Sequence, residues 1–542
     1  MAAPLSSAYI AGDPRALAFL APWFRDEAAR TARARSLGAR PIAPGLALVI
    51  TAQNRAFPPS AARDRNLAAL ATPGTVVAVT GQQMGLFLGP LFTLYKTAST
   101  IAAARAIERD SGVRCVPLFW MQTEDHDFEE INHCHVHRPG APPLRLAVRD
   151  AASDALGEPG ARVSVEHRRL GDDVIAALDA LDEALGGLPH AADFLPLLRQ
   201  HYAPGRTLGA AFAGVMAALF ADEGLVLFDS RDARAARYAQ PIFARAITDC
   251  DAIADTLLER GRALGAAGFD TQVHVRPASP LCFFHDEGAE GPRYRLERRG
   301  ADFALVGTDR TISPEALLAA VEQDPLCASS SALLRPIVQD ALLPVAAYIG
   351  GAAEVSYFGQ IAPLYPRFGL PPPLMVPRAR FRILDDRARA LLSELGLSPA
   401  EVELGRDGVL ALLESRAPSP HPPAEALAES LTAPLHARLA ALEPDLRALD
   451  PNLLDPARKT RDTVDAAVAR FVERYRRALV EGDRVRSDRV DRLGRFLWPD
   501  GAPQERYHSL PYFACRFGLA ALKSALFAAL DPWDPTLRDL EP

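Results

Sequence analysis

The stretch that most constrains the fold runs from residue 75 to residue 130. Residues 75–80 (TVVAVT) form a β-branched run that predicts a strand. Residues 81–89 follow, with glycines at 81, 85 and 89. Pro90 then falls where the first turn of a helix favours proline. Beyond it Leu91, Leu94, Tyr95, Ala98, Ile101 and Ala102 share one helical face. Residues 114–120 (RCVPLFW) are nearly continuously apolar, as in a strand covered on both faces. Strand, glycine loop, helix and strand make a βαβ unit with a right-handed crossover. Such a unit commits the chain to a parallel sheet.

The pattern recurs. A helix is predicted over 207–222, ahead of a buried strand at 224–229 (GLVLFD). Residues 342–349 read as a strand ending in Gly350–Gly351, followed by a helix over 354–364 and a short strand at 374–376. This alternation predicts an α/β fold, a mostly parallel sheet with helices on both faces. A length of 542 residues exceeds what one core supports. The core is expected in three parts, 1–133, 207–269 and 331–380. Insertions are expected at 134–206, rich in Gly, Pro and charge, and at 270–330, where short alternating runs suggest a small antiparallel patch. Residues 501–542 are expected to pack on core or arm.

Residues 381–500 are expected to form that arm. Leu427, Leu431, Leu435, Leu439, Leu442, Leu446 and Leu449 fall at spacings of three and four. Asp450–Pro451 breaks the run, and Val464, Val468, Phe471, Tyr475 and Leu479 continue a similar stripe. The pattern predicts an antiparallel helical hairpin with coiled-coil character, its second helix ~50 Å long. Dimerisation is the natural use of such an arm. An ordinary helical domain folded on the core is the alternative.

Charge and cysteine usage narrow the function classes. A net charge of -7 argues against a general nucleic-acid binder, which needs a basic footprint, while leaving room for a local basic pocket. The six cysteines form no CxxC pair, so neither a zinc ribbon nor a disulfide framework is indicated. The N-terminus lacks a signal-peptide pattern, and no apolar stretch is long enough to span a bilayer. A cytoplasmic protein without membrane association is the expectation.

Four constellations could carry chemistry. The loop from Gly81 through Gln82, Gln83, Gly85 and Gly89 permits close backbone approach, and the helix end behind it suits phosphate or carboxylate. It matches neither the Walker A nor the dinucleotide pattern; a tight structural turn is the alternative. Lys96 lies outside the apolar stripe of that helix, so geometry alone predicts a solvated lysine. The second constellation is Glu124-Asp125-His126-Asp127, directly after a buried strand. It could hold Mg²⁺, bind an ammonium or supply a general base; the alternative is a solvated capping loop. The third is His133-x-His135-x-His137, which would share one strand face but shows no fourth zinc ligand. The fourth is the run from Tyr348 through Gly350 and Gly351 to Glu354, where Glu354 opens a helix and also reads as a cap. Ser329, Ser330, Ser331 and Arg335 lie upstream of it, Arg335 as a candidate anion ligand.

These residues resemble the bacillithiol-synthesis cysteine ligases, the BshC family. The matching stretches are TGQQMGLFLGPLFTLYK (residues 80–96), FWMQTEDHDFEEINH (119–133), RTLGAAFAGVMAALFADEGLVLFD (206–229), LLRPIVQDALLPVAAYIGGAAEVSYFGQ (333–360) and QER (504–506). The resemblance implies a Rossmann-like core related to nucleotidylyl transferases, connecting insertions, and an antiparallel coiled-coil arm that pairs two subunits. It implies condensation of cysteine's carboxylate with the amine of glucosaminyl malate. It also implies that the Gly81–Pro90 loop, the Glu124–Asp127 cluster and the Gly350–Glu354 turn line one crevice, and it brings Lys96 into the site. His135 and His137 lie outside the matching stretch. Two departures stand out: Ala352 and Ala353 replace the family's proline–glycine pair, and Ser331 replaces an asparagine. Because a carboxylate must be activated before it forms an amide, ATP and Mg²⁺ are expected. Another acid-activating nucleotidylyl transferase, or a dimeric scaffold with a degenerate pocket, are the competing readings.

Overall fold

The computed structural model describes residues 4–149, 163–416, 422–481 and 484–542. Four stretches lie outside the described residues: 1–3, 150–162 in the first insertion, and 417–421 and 482–483 in the arm. The chain divides into two compact units, Met1–Ile383 with Glu505–Pro542, and Leu384–Gln504.

The first unit is built on five parallel strands: β1 (Val76–Gln82), β2 (Cys115–Met121), β3 (Val226–Asp229), β4 (Val345–Gly350) and β5 (Leu374–Pro377). Their order is β5-β4-β1-β2-β3. The chain runs outward from β1 to β2 and β3, then returns to place β4 and β5 on the other side of β1. That reversal puts a crevice beyond the carboxyl ends of β1 and β4, where open α/β sheets bind ligands. β1 and β2 stay in step from Val76 opposite Cys115 to Gln82 opposite Met121. Every residue of β2 is buried, as its unbroken apolar run requires.

Helix α1 (Phe92–Ser111) follows β1. It starts after Pro90, which instead bridges to Ser509. The expected one-sided stripe is incomplete: Thr93, Lys96, Thr97, Ser99 and Thr100 are buried as well. Three of these hydroxyls are satisfied within the helix, Thr97 donating to Thr93 O, Ser99 to Tyr95 O and Thr100 to Lys96 O. Such back-bonding lets a polar helix face enter a core. Helices α2 (Leu208–Leu219), α3 (Arg335–Leu342) and α4 (Ala352–Ile361) precede or follow the later strands.

The first insertion carries an antiparallel hairpin, His133–Val136 with Leu144–Ala147. The second carries a five-stranded antiparallel sheet in the order Ala328–Ser330, Cys282–Phe284, Tyr294–Arg299, Asp302–Leu305, Thr311–Ile312. The C-terminal residues join the first unit. Leu537–Leu540 pairs in parallel with Arg380–Ile383, and Glu505 takes two 2.8 Å hydrogen bonds from Arg378. No single described helix is long and apolar enough to cross a membrane.

The second unit is helical. Its longest elements are α5 (Ala424–Leu449) and α6 (Leu454–Glu481). His436 meets Asp465 while Arg476 meets Glu425, so the two helices run antiparallel. At ~1.5 Å per residue α6 spans ~42 Å, shorter than expected. The seam also differs by one position: Val472 is buried, whereas Phe471 is 53% exposed.

The Arg378–Glu505 pair is buried on both sides, with side chains 7% and 3% exposed. Breaking such a pair strands a charge. Glu505→Gln is expected to lower unfolding free energy by about 3 kcal/mol, read from the denaturant midpoint; an unmoved midpoint would mean that the pair contributes nothing.

Candidate active site

A cavity of about 550 Å³ opens beyond the carboxyl ends of β1, β2 and β4. Gln82 and Gln83 reach it from the end of β1, and Phe92 and Lys96 from α1. Gln122, Glu124, Asp125 and His126 come from the loop after β2, and Gly351, Ala353 and Glu354 from the start of α4. The lining holds five cationic side chains, Lys96, Arg293, Arg335, Arg378 and Arg506, and four carboxylates, Glu124, Asp125, Glu130 and Glu354.

At its floor lies a buried ion pair. Lys96, only 2% exposed, places Nζ 2.6 Å from Glu354 Oε2 and also donates to Gly81 O and to Gln82 Oε1. The expectation of a solvated lysine therefore fails: the side that lacks apolar residues faces the sheet's carboxyl end, not water. Glu354 in turn accepts from the Tyr348 hydroxyl at 2.6 Å and from the Gly351 N–H at 2.7 Å. It is thus both the cap of α4 and the partner of Lys96. Arg335 continues the network, donating to Tyr348 Oη, Tyr357 Oη and Gln339 Oε1. Burial pushes the Lys96 ammonium below its ordinary pKa range, with Glu354 pulling the other way. Burial acts against the Glu354 carboxylate too, but Lys96, Tyr348 and Gly351 outweigh it and hold that carboxyl below its usual range. Gly350, Gly351, Ala352 and Ala353 all keep negative-side φ angles, so the alanines fit this turn without strain.

The acidic cluster is divided in its roles. Glu124 is held from the second insertion, accepting from both the N–H and the hydroxyl of Ser330. Asp125 accepts from Gln83 Nε2 at 2.7 Å and from the His126 N–H at 2.7 Å. His126 Nδ1 lies 2.8 Å from Arg293 Nη1. Asp127 is exposed, caps the Glu130 N–H and does not line the cavity. Among the described residues, no three His, Cys, Asp or Glu side chains converge as a metal site.

The glycine loop contributes less directly. Gly81 offers its carbonyl to Lys96. A Cβ on Gly85 would sit 2.8 Å from Gly89 Cα, so these two glycines serve close packing of the loop on itself, outside the cavity lining. The first turn of α1 is capped by protein, with the Leu91 N–H on His508 O and the Thr93 N–H on Pro90 O. The starts of α3 and α4 also border the cavity, through Arg335 and Gly351, and the Gly351 N–H is taken by Glu354. His133 and His135 lie edge to face, His135 stacks on Tyr507, and His137 is buried against Tyr512. Sequence reasoning missed Arg293 and Arg378. Arg293 arrives from an insertion 167 residues after His126, with no local signal.

Asp340 stands behind this network, 3% exposed and hydrogen-bonded by Gln339. Burial pushes its carboxyl up to about 7, against which Gln339 acts only in part. An unfolded Asp titrates near ~3.9, so between these values the folded state binds more protons and stability falls as pH rises. Asp340→Asn is expected to flatten that fall between about pH 4 and pH 7, a change on the order of 2–4 kcal/mol across the window. Denaturation midpoints of both proteins across that range check it, and parallel curves would overturn it.

Comparison with known proteins agrees with both units. Residues 2–379 match the family described as bacillithiol biosynthesis BshC, N-terminal Rossmann-like domain, and residues 381–536 match its C-terminal coiled-coil domain. A Salinibacter ruber protein is 34% identical over 461 residues, covering 84% of this chain and 80% of its own. A Koribacter versatilis protein is 33% identical over 459 residues, covering 84% and 82%. A Geobacillus thermodenitrificans protein is 29% identical over 483 residues, covering 88% and 86%. All three bear the name cysteine ligase BshC. Matched in both domains, this chain belongs to the bacillithiol-biosynthesis BshC family.

Proposed function

We propose that this protein joins the carboxylate of cysteine to the amine of glucosaminyl malate, using ATP and Mg²⁺, in the cytoplasm. The observation that carries the reading is the mixed charge of the cavity at the switch point. The reactants bring carboxylates and phosphates for Arg335, Arg378 and Arg506, and an ammonium for a carboxylate. A volume of about 550 Å³ suits ligands of this size.

ATP, when bound, would activate the cysteine carboxylate as an acyl phosphate or acyl adenylate. The residues fit that group: Phe92 and Tyr357 bring aromatic rings to the cavity, and Arg335, Arg378 and Arg506 bring positive charge for phosphate. Asp125 and Glu130 are the carboxylates for a phosphate-bound magnesium ion or for cysteine's ammonium, since Glu354 is paired with Lys96 and Glu124 is buried against Ser330. Attack by the sugar amine forms the C–N bond, releases the activating group and frees one proton for a neighbouring base.

Purified protein with glucosaminyl malate, cysteine, ATP and Mg²⁺ should yield the ligated thiol, followed by mass, and an ATP-free control should not. Pyrophosphate release with a different acid would favour another acid-activating enzyme. Asp125→Asn is expected to cost at least about a hundredfold in turnover, whereas Asp127→Asn stays within about threefold because its side chain lies off the cavity. Equal losses would overturn this division of the cluster.

The arm formed by α5 and α6 is proposed to pair two subunits. Leu431 and Leu449 remain exposed on α5 and Phe471 on α6, an apolar surface a second copy would cover. Replacing all three by Ser is expected to shift sedimentation from dimer to monomer with helicity retained. An unchanged sedimentation coefficient would place the interface elsewhere, and a wild-type monomer would refute it.

A further inference from the structure

A second cavity, of about 480 Å³, opens beyond the carboxyl ends of β2 and β3. Its lining shares no residue with that of the first. The two are divided by the loop after β2, where Thr123 lines the second cavity and Glu124 the first. Phe57, Pro58, Met121 and Leu227 give the second cavity apolar wall. The proposed ligation makes no use of this space.

Most charges around it are already paired. Glu166 accepts from Arg231 Nε at 2.9 Å and meets His167 at 2.7 Å. Arg231 also donates to Leu326 O and Ala328 O, and its Nη2 is sealed from solvent. Asp232 is held by Arg234 at 2.7 Å.

Two lining charges are left, one of each sign. Asp229, at the end of β3, accepts on Oδ1 from the Thr123 hydroxyl and the Arg231 backbone N–H. Among the described residues nothing donates to its Oδ2, and no cation lies in ion-pair contact with it. Burial, reinforced by Glu166, pushes its carboxyl up to about 6, as expected where no contacting cation offsets desolvation. The other charge is Arg206, whose guanidinium meets His201 Nδ1 at 3.4 Å and pairs with no described carboxylate. His201 is buried and packed so closely on α2 that a Cβ on Gly214 would lie 2.1 Å from Nδ1. The ring that Arg206 touches is therefore a fixed part of the cavity wall.

We propose that this cavity is a second ligand site, for a zwitterionic amino acid with an apolar side chain, its ammonium on Asp229 and its carboxylate on Arg206. An uncompensated, partly buried carboxylate is costly, and a bound ammonium offsets that cost. A guanidinium is suited to a ligand carboxylate. The apolar wall takes the side chain, and the volume lies in the range of small-molecule sites. The site stands independently of the ligation reading.

Calorimetric titration of the full-length protein tests it with L-leucine and two analogues that each lack one charge. L-leucine is expected to bind, and L-leucinamide and N-acetyl-L-leucine are each expected to bind at least about tenfold more weakly. Both comparisons are read on the wild-type protein, so neither depends on a variant folding. Asp229→Asn and Arg206→Gln, with circular dichroism unchanged, are expected to weaken L-leucine by a similar factor, and Asp125→Asn in the first cavity to leave its affinity unaltered. No binding up to about 10 mM L-leucine would overturn the proposal. Equal affinity for L-leucine and either analogue would overturn it too. Affinity lost in Asp125→Asn but kept in Asp229→Asn would place the amino acid in the first cavity and likewise overturn it.

Discussion

The buried pair between Lys96 and Glu354 is the contact around which the first unit is arranged. Taking both charges out of water is costly, and their attraction offsets that cost only when the remaining donors and acceptors are satisfied. The chain satisfies them with the Gly81 carbonyl, the Gln82 amide, the Tyr348 hydroxyl and the Gly351 N–H. Those groups come from the ends of β1 and β4 and from the start of α4, while the two charges themselves stand on α1 and α4. Pairing Lys96 with Glu354 therefore fixes where both helices begin relative to the sheet, and so fixes the floor of the cavity.

The insertions complete what the sheet begins. Glu124 and His126 sit on a loop that no strand pairing holds, yet both are clamped by the second insertion through Ser330 and Arg293. A loop positioned in this way can keep charged groups at set distances without the rigidity of a strand. On the opposite wall, Glu505 from the C-terminal segment holds Arg378 beside the cavity. A core divided among three stretches of chain thus gathers its site from two of them, together with the second insertion and the C-terminal segment.

Much of the architecture could be read in the amino-acid order because it depends on local periodicity. The continuous apolar run at 114–120 could only be a strand covered on both faces, and β2 is buried throughout. The helical repeat of leucines likewise announced the hairpin. Periodicity failed where a polar side chain enters the core with its own partner. Lys96 breaks the apolar stripe of α1, and its partner Glu354 lies 258 residues away. Phe471 and Val472 are a similar case, since one step along a helix turns the side chain by about 100° and the partner helix decides which is covered.

The sequence by itself determined the parallel sheet, the glycine loop, the helical arm and the family resemblance, because strand and helix patterns and contiguous motifs are properties of neighbouring residues. Only the tertiary structure decided which charges face each other. It paired Lys96 with Glu354, gave Glu124 to Ser330, set Arg293 on His126 and left Asp127 in solvent. The physical reason is that the worth of a charge depends on burial and on partners brought from distant parts of the chain, and no spacing along the chain encodes either.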